Sequence, residues 1–478
     1  MLFNSFDFAI FLPLVFLLYW FIFNKQSISV RNIFLLTASY IFYAFWDWRF
    51  LVLILFSSVM DFFLAHCMGK LNDSQQQKRK YLLWCSLALN LGVLGFFKYF
   101  NFFVDSFVAA FTLFGTEFNY FPLKIILPVG VSFYIFQSLS YTIDVYYKRM
   151  QPTDKLVNFM TFVAFFPQLV AGPIERAQRF LPQFAEQKTF DYQSVFNGLG
   201  MVLFGLFKKV VIADRLAVFI DKTYGNISDA QGVALVMAVV FFAFQLYIDF
   251  SAYSAIAIGS ARMLGFRLTT NFRRPYLSSS FSEFWTRWHI TLSSWFRDYV
   301  YIPLGGNRKG VNRKMINLMI VFMVSGLWHG ASWNFVIWGA LNGFFVIAFD
   351  NLFRMKTATG IRRWINSLFI FTCWALSLIF FRAETFSDAL AVFGNLGFQH
   401  WDNLYNFGLN SMEFNFSIFL ILLLMIYEVV RENANKLLTR IYNSDVLRWS
   451  IYVLLLLSII FLGAYGASND NSFIYFQF

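Results

Sequence analysis

Charged residues are scarce in this chain of 478 amino acids, of which only 13% are Asp, Glu, Lys or Arg. A soluble domain usually carries about 25% charged residues. Hydrophobic residues account for 59% of the sequence, and phenylalanine alone occurs 67 times. This composition excludes an ordinary soluble domain and predicts a protein that is embedded in lipid.

Cysteine is rare as well: the chain has three, and no two of them form a Cys-x-x-Cys pair. Cys67, Cys85 and Cys373 lie in or beside apolar stretches, where cysteine acts as a small packing residue. We therefore predict neither a disulfide framework nor a zinc site from these residues.

Common catalytic motifs are missing too. The sequence contains no Walker phosphate-binding motif, no Gly-x-Ser-x-Gly elbow and no His-Glu-x-x-His metal motif. No bound metal or cofactor is therefore predicted. If the protein is an enzyme, general-base catalysis by a histidine is the simplest mechanism that its residues allow.

Alternating polar and apolar residues, which mark the strands of a membrane β-barrel, are not visible. The sequence instead has several mostly apolar runs of about 17 residues or more, each long enough to cross a bilayer as a helix. We predict an all-α polytopic membrane protein with about 11–12 transmembrane helices plus re-entrant or interfacial helices. A single integral-membrane domain is predicted over residues 1–478, with N-terminal helices in 1–124, a motif-bearing core in 125–350 and C-terminal helices in 351–478.

The net charge of +12 comes from short clusters of Lys and Arg between the apolar runs. Such clusters are typical of cytoplasmic loops, so nucleic-acid binding is not predicted. Lys25 and Arg31 follow the first apolar run, and three more basic residues occupy positions 78–80. With these loops on the cytoplasmic side and successive helices crossing the membrane in alternating directions, the N-terminus and the C-terminus are both predicted to be extracytoplasmic.

Two apolar runs need a separate interpretation. The run 6–23 has no basic segment before it and no cleavage site after it, so it is predicted to be a retained helix rather than a signal peptide. The run 158–172 is shorter and ends at Pro173, which halts a helix. It is predicted to be re-entrant or interfacial rather than spanning.

Histidine occurs only four times. Two of the four, His289 and His329, lie in one stretch of aromatic and basic residues, 281–330. His329 is predicted at the outward end of a crossing and His289 toward the cytoplasmic face, because the helix between them covers about 25 Å. We therefore predict that the two histidines straddle the membrane and do not share a site.

His329 is a candidate for chemistry because ionisable residues at membrane depth are costly and usually face a cavity. Gly326 and Gly330 flank it at a spacing that permits close helix approach. A neutral imidazole can take the proton of a hydroxyl that attacks an acyl carbon. The alternative is a structural histidine in an aromatic belt with Trp328 and Trp333, and the residues by themselves leave both interpretations open.

His289 lies at the border of a predicted amphipathic helix over 284–299, where a hydrogen-bonded interfacial histidine is the plainer interpretation. Asp249, in the middle of a long apolar run, is predicted to be a buried structural partner of an Arg or a Tyr rather than a catalyst. A different class of function also stays open. Asp249 and the two histidines would be suitable for a proton relay in a transporter.

Several long motifs carry a resemblance to a known family. They are VAGPIERAQRF (170–180), QLYIDFSAYSAIAIGSARMLG (245–265), NFRRPYLSSSFSEFW (271–285), FWTRWHITLSSWFRDYVYIPLGGNR (284–308) and GLWHGASWNFVIWG (326–339). These motifs resemble the membrane-bound O-acyltransferase family, and within it the bacterial alginate O-acetylase branch. That branch includes relatives that acetylate peptidoglycan and other polysaccharides.

The resemblance implies a fold in which helices surround a central funnel or tunnel, in the bacterial cytoplasmic membrane. It implies an O-acetyltransferase that takes an acetyl group from a cytoplasmic donor, acetyl-CoA, and passes it across the membrane. The expected acceptor is an extracytoplasmic polysaccharide of the alginate, exopolysaccharide or peptidoglycan type, or an SGNH-type partner enzyme. The alternative within the family is the branch that transfers D-alanyl groups to teichoic acids.

The resemblance also implies roles for single residues. His329 is expected to be the catalytic base or proton shuttle, and His289 corresponds to the family's second histidine. Five other residues are expected to line or brace the substrate tunnel: Arg287, Trp288, Asp298, Asn334 and Asp249.

Overall fold

The computed structural model describes residues 1–112, 115, 122–353, 355, 357–434, 444–465 and 473–474. Within these ranges the regular structure is helical, and the only strand-type pairing is an isolated bridge between Gly232 and Leu396. The predicted all-α fold is confirmed. The predicted placement of the C-terminus falls on 466–478, of which only Phe473 and Ile474 lie within the described residues.

The chain folds as two compact units, residues 1–199 with 257–269 and residues 200–256 with 270–478. The first helices in chain order are α1 (Phe6–Phe21), α2 (Ile28–Asp47), α3 (Leu51–Lys70), α4 (Gln76–Leu94), α5 (Phe100–Thr112), α6 (Val131–Tyr146), α7 (Leu156–Ala164) and α8 (Ala177–Phe180). Next come α9 (Tyr192–Leu206), α10 (Asp214–Tyr224) and α11 (Val233–Met263). The last group is α12 (Phe281–Arg287), α13 (Ile290–Phe296), α14 (Gly310–His329), α15 (Trp333–Phe345), α16 (Gly360–Arg382), α17 (Phe386–Asn395), α18 (Ser411–Asn433) and α19 (Asp445–Leu462).

Nine helical segments of the described ranges are long and apolar enough to cross a membrane. They are Phe6–Lys25, Ile28–Lys70, Asp73–Thr112, Tyr192–Tyr224, Val233–Met263, Trp333–Leu352, Gly360–Arg382, Ser411–Asn433 and Asp445–Leu462. Three of these segments each contain two helices: α2 with α3, α4 with α5, and α9 with α10. The protein is therefore a multi-pass membrane protein, as its sequence predicts.

The apolar run 158–172 does not form a spanning helix, which confirms that part of the sequence prediction. α7 has only 9 residues, and residues 165–175 continue as buried turns and irregular backbone. A Cβ at Gly172 would lie 2.4 Å from the Cα of Gln168, so the tight turn requires glycine there. Irregular backbone of this kind is tolerated because it is enclosed by protein.

A buried carboxylate ties three helices of the first unit together. Asp61 on α3 accepts hydrogen bonds from Ser86 Oγ (2.5 Å) and Asn90 Nδ2 (2.8 Å), both on α4. It accepts another from Ser138 Oγ on α6. Asp61, Ser86 and Ser138 are completely buried. Hydrogen bonds between helices compensate polar side chains in an apolar environment, and these bonds fix the packing of α3, α4 and α6.

The second unit is built around α11 and a core rich in tryptophan. Most residues of α11 within this unit are buried. The rings of Trp288 and Trp374 have centroids 4.8 Å apart, and those of Trp338 and Trp374 are 5.9 Å apart. These large rings supply much of the buried area around which α12, α15 and α16 pack.

In the first unit, Glu175 fastens the GPIER motif to the chain that follows α11. Its carboxylate, of which only 1% is exposed, accepts hydrogen bonds from the backbone N–H of Thr269 and from Thr269 Oγ1, the latter at 2.9 Å. Burial raises the pKa of Glu175 to about 7, while the hydrogen bonds from Thr269 act in the opposite direction. This carboxyl therefore holds its proton more tightly in the folded protein than in the unfolded chain.

We expect Glu175→Gln to flatten the pH dependence of thermal unfolding. A raised pKa means that the stability linked to Glu175 is complete below its unfolded pKa of 4.5 and is lost as pH rises through about 7. Glutamine is neutral throughout, so the variant should unfold at a higher temperature than the wild type at pH 8 and at a similar temperature at pH 5. Thermal unfolding of the purified wild type and variant in detergent measures the unfolding temperatures at both pH values. An unchanged pH profile would exclude Glu175 as the titrating group.

Candidate functional site

The stretch 281–296 is broken into two short helices, α12 and α13, so the predicted continuous amphipathic helix over 284–299 is wrong. Trp288 is extended (φ −98°, ψ 129°), and His289 is left-handed (φ 40°, ψ 55°). The physical reason is tertiary. The backbone oxygen of Asn271 accepts the Ile290 N–H at 2.9 Å, and its Oδ1 accepts the Thr291 hydroxyl at 3.0 Å.

His289 is thus held in a backbone conformation that non-glycine residues adopt rarely. Such conformations cost about 1–3 kcal/mol and persist only where surrounding contacts enforce them. They occur frequently at functional sites. The strain at His289 therefore supports a functional interpretation over that of an ordinary interfacial histidine.

The imidazole rings of His289 and His329 lie with their centroids 6.4 Å apart. The prediction that the two residues straddle the membrane is therefore wrong. Its error was to count only the length of α14. From His289 the chain first runs away through α13 and the π-helical turn Arg297–Tyr301, and α14 then returns. His329 is the last residue of α14, so the hairpin brings the two histidines together.

Aromatic rings enclose the histidine pair. His289 contacts the ring of Phe250, with centroids 4.7 Å apart, and His329 contacts Trp338 at 5.0 Å. Trp328 contacts both rings, with centroids 5.9 Å from His289 and 5.0 Å from His329. His289 is 1% exposed and His329 is 5% exposed. The pair therefore lies in a low-dielectric enclosure from which bulk water is excluded.

This enclosure controls the charge of His289. Burial lowers the pKa of His289 well below its usual range, and the neighbouring His329 lowers it further. His289 is therefore neutral at physiological pH. A neutral imidazole can accept a proton at one ring nitrogen and donate one at the other, which suits proton transfer during acyl chemistry.

Small residues bring α14 and α15 into close contact beside His329, as the spacing of Gly326 and Gly330 predicts. A Cβ at Gly326 would lie 2.2 Å from the backbone oxygen of Phe335, and one at Gly339 would lie 2.4 Å from that of Phe322. A Cβ at Gly330 would lie 2.0 Å from the ring of Phe335. This close packing fixes the end of α14 and hence the position of the His329 ring.

Trp288 and Asn334, both predicted tunnel residues, are buried in the core of the second unit. Trp288 is 2% exposed and makes an edge-to-face contact with Phe272, whose ring also lies 6.3 Å from His289. Asn334 is buried and donates from Nδ2 to the backbone oxygen of Ala383 at 3.0 Å. It thereby ties the start of α15 to the residue after α16.

Arg287 and Asp298 lie in more polar surroundings. Arg287 Nη2 pairs with Glu283 at 2.7 Å and with Glu432 at 2.9 Å. Asp298 lies in the π-helical turn after α13, where it pairs with Arg297 at 2.7 Å. Arg287 belongs to a charged cluster next to the histidine pair along the chain, and Asp298 belongs to the turn that leads toward α14.

Asp249 has a lysine as its partner, not the Arg or Tyr that the sequence predicts. Lys209 Nζ lies 2.8 Å from both Asp249 and Asp214, and all three side chains are at most 8% exposed. The other carboxylate oxygen of Asp249 accepts the backbone N–H of Ile474 at 2.8 Å. The π-helical segment Phe207–Ala213 carries Lys209, and such a bulge changes the direction in which a side chain projects from its helix.

Sequence reasoning assigned no partner or role to three residues that shape this unit: Lys209, Asn271 and Glu432. Lys209 had a visible signal, because two lysines inside an apolar helix are costly unless they are paired. Glu432 is an acid at the basic end of a predicted crossing, which also indicates pairing. Asn271 had no signal, since one asparagine at the start of a loop is ordinary.

We expect Gly326→Ala to destabilise the protein by about 1–3 kcal/mol, because the added methyl group overpacks the contact with α15. Thermal unfolding in detergent measures the loss. Gly92→Ala is the matched control, since Gly92 also lies within a long helix, α4, and a Cβ there meets nothing within 4 Å. Its unfolding temperature should be unchanged or slightly higher. Equal effects of the two substitutions would contradict the importance of the α14–α15 contact.

Comparison with known proteins places this site in a family. A sequence model of the membrane-bound O-acyltransferase family matches residues 153–387, a range that includes both histidines. A probable alginate O-acetylase from Azotobacter vinelandii is 40% identical, over 82% of this chain and 77% of that protein. The peptidoglycan O-acetyltransferase of Helicobacter pylori is 34% identical, over 100% of this chain and 98% of that protein.

A more distant relative belongs to the branch that the sequence left as an alternative. The teichoic acid D-alanyltransferase of Bacillus subtilis is 26% identical, over 46% of this chain and 58% of that protein. All of these relatives are named for the transfer of acyl groups, and the two named for O-acetylation match most of the chain. The chain therefore belongs to the membrane-bound O-acyltransferase family and is a multi-pass bacterial membrane O-acyltransferase.

Proposed function

We propose that this protein transfers an acetyl group from acetyl-CoA on the cytoplasmic side to a hydroxyl of an extracytoplasmic polysaccharide, directly or through an SGNH-type partner enzyme. The observation that carries the proposal is the buried pair of His289 and His329, with ring centroids 6.4 Å apart. The pair lies in the part of the chain that matches the acyltransferase family.

In this proposal His329 is the general base. It takes the proton of the acceptor hydroxyl as the hydroxyl oxygen attacks the carbonyl carbon of the acetyl thioester. The tetrahedral intermediate then collapses, the carbon–sulfur bond breaks, and the thiolate leaves with the proton that His329 returns. The new carbon–oxygen bond is the ester, so a hydroxyl and a thioester become an ester and a thiol.

His289 assists by remaining neutral. A second imidazolium at this separation would oppose protonation of His329. The lowered pKa of His289 removes that opposition. A neutral His289 also keeps one ring N–H that can donate a hydrogen bond to the oxyanion of the tetrahedral intermediate.

The names of the relatives support acetyl as the transferred group and a polymer as the acceptor. The relatives named for acetylating alginate and peptidoglycan match 82% and 100% of the chain, whereas the D-alanyltransferase matches 46%. Transfer of D-alanyl groups is therefore the less supported alternative. A transporter is disfavoured because every family member described above is named for acyl-group transfer.

We expect His329→Ala to lower O-acetylation of the exported polysaccharide by at least about 100-fold, which is the lower end of what a general base contributes. The measurement is base-released acetate from the purified polysaccharide of a deletion strain that carries each variant. His400→Asn is the control, because His400 is exposed and left-handed, a conformation that asparagine tolerates. If the His329→Ala protein is well expressed and the amount of base-released acetate equals that of the wild type, the mechanism is wrong.

The orientation is testable by cysteine labelling. Starting from a chain in which Cys67, Cys85 and Cys373 are replaced, we introduce Glu384→Cys or Lys78→Cys, both of which are exposed positions. A membrane-impermeant maleimide added to intact cells should label position 384 and not position 78, because loop charge predicts that only the former is extracytoplasmic. The reverse pattern would invert the proposed direction of acetyl transfer.

A further inference from the structure

Three arginines of the second unit converge on one glutamate. We call this group the arginine cluster: Arg274, Arg287 and Arg363, with the carboxylates of Glu283 and Glu432. The residues come from four places in the chain: the loop before α12, α12 itself, the first turn of α16 and the end of α18. Loop charge predicts that all four places lie at the cytoplasmic face.

The cluster has a defined geometry. Glu432 Oε2 accepts from Arg274 Nε at 2.5 Å, and Glu432 Oε1 accepts from Arg287 Nη2 at 2.9 Å and from Arg363 Nη2 at 3.2 Å. Arg363 Nη2 also donates to the backbone oxygen of Leu277 at 3.3 Å. Glu432 thus holds three guanidinium groups around one point.

The cluster has more positive charge than its own carboxylates neutralise, with three guanidinium groups against two carboxylates. The side chains of Arg274 and Arg363 remain 25% and 29% exposed. Among the described residues, Glu432 is the only hydrogen-bond partner of the Arg274 side chain, and it takes one of five N–H groups. Holding Glu432 in place requires fewer than three arginines. The excess positive charge therefore indicates that the cluster binds an anionic ligand.

The cluster is next to the histidine pair along the chain. Arg287 precedes His289 by two residues, and Arg274 follows Phe272, whose ring lies 6.3 Å from that of His289. Arg274 is itself left-handed (φ 50°), a conformation that costs free energy and is frequent at ligand clamps. A ligand that is held by the arginines would therefore be bound by residues that neighbour His289 and its contact Phe272 in the chain.

We propose that the arginine cluster binds phosphate groups, and that Arg274 and Arg363 supply the N–H groups that recognise them. Guanidinium groups match phosphate oxygens with paired hydrogen bonds. This proposal rests on the function proposed above: the ligand is the phosphate-bearing part of the acetyl thioester donor. Binding of that part at the arginine cluster places the acyl end of the donor toward His289. The same chemistry is offered by the phosphates of lipid headgroups, so the experiment separates these two sources.

The test is binding of coenzyme A, 3′-dephospho-coenzyme A and pantetheine to the full-length protein in nanodiscs of zwitterionic lipid, measured by calorimetry. Wild type should bind coenzyme A at least about tenfold more tightly than pantetheine, a difference on the scale of charge-assisted contacts. The double variant Arg274→Gln with Arg363→Gln should lose that preference while its affinity for pantetheine stays unchanged. The corresponding double lysine variant keeps the charge and should retain part of the preference.

Arg382→Gln is the matched control. It also lies on α16 and is ion-paired, to Asp221 at 2.9 Å, with 23% of its side chain exposed, but it lies at the opposite end of the helix. It should leave coenzyme A affinity unchanged. A second arm replaces part of the zwitterionic lipid by phosphatidylglycerol and measures the unfolding temperature. If the double glutamine variant changes only the effect of phosphatidylglycerol on the unfolding temperature, and not the affinity for coenzyme A, the bound phosphate comes from lipid.

The proposal is overturned if the double glutamine variant changes neither coenzyme A affinity nor the effect of phosphatidylglycerol. That result would leave the proposed function standing, because the loss of acetate in His329→Ala is measured in cells and does not depend on the cluster. Conversely, if coenzyme A binds through the arginines but His329→Ala leaves acetylation intact, the histidine mechanism fails and the phosphate site remains.

Discussion

The hydrogen bonds that Asn271 makes to the chain just after His289 are the constraint on which the site depends. The Ile290 N–H and the Thr291 hydroxyl both bond to Asn271, at 2.9 Å and 3.0 Å. These bonds end one short helix and begin another, so His289 takes a left-handed conformation between them. A continuous helix would point the imidazole in a different direction and would leave His329 without its neighbour.

The aromatic enclosure then determines what the two imidazoles can do. Rings of Phe250, Trp328 and Trp338 replace water around them. In this low-dielectric environment a charged imidazole has a high free energy, so His289 stays neutral. A proton transfer to His329 then leaves only one of the two imidazoles charged. The close contact of α14 with α15 at Gly326 holds the other imidazole in place.

Two ion-paired clusters elsewhere in the second unit also position the backbone. Lys209 lies between Asp214 and Asp249 at 2.8 Å from each, and Asp249 in turn holds the N–H of Ile474. Glu432 gathers three arginines from separate segments. Because an unpaired charge is expensive in an apolar environment, these clusters fix the segments that they join. The arginine cluster differs in keeping part of its cationic surface exposed.

The sequence by itself determined the all-α membrane fold, the non-spanning run at 158–172, the close packing at Gly326 and the candidacy of His289 and His329. Each of these follows from local composition or spacing. Only the tertiary structure decided that the two histidines share one site and that Lys209 is the partner of Asp249. Residues 284–299 have the periodicity of one helix, and the hydrogen bonds that Ile290 and Thr291 donate to Asn271, which lies outside this stretch, override it. A lysine within an apolar helix signals that a partner exists, but packing alone selects which carboxylate it meets.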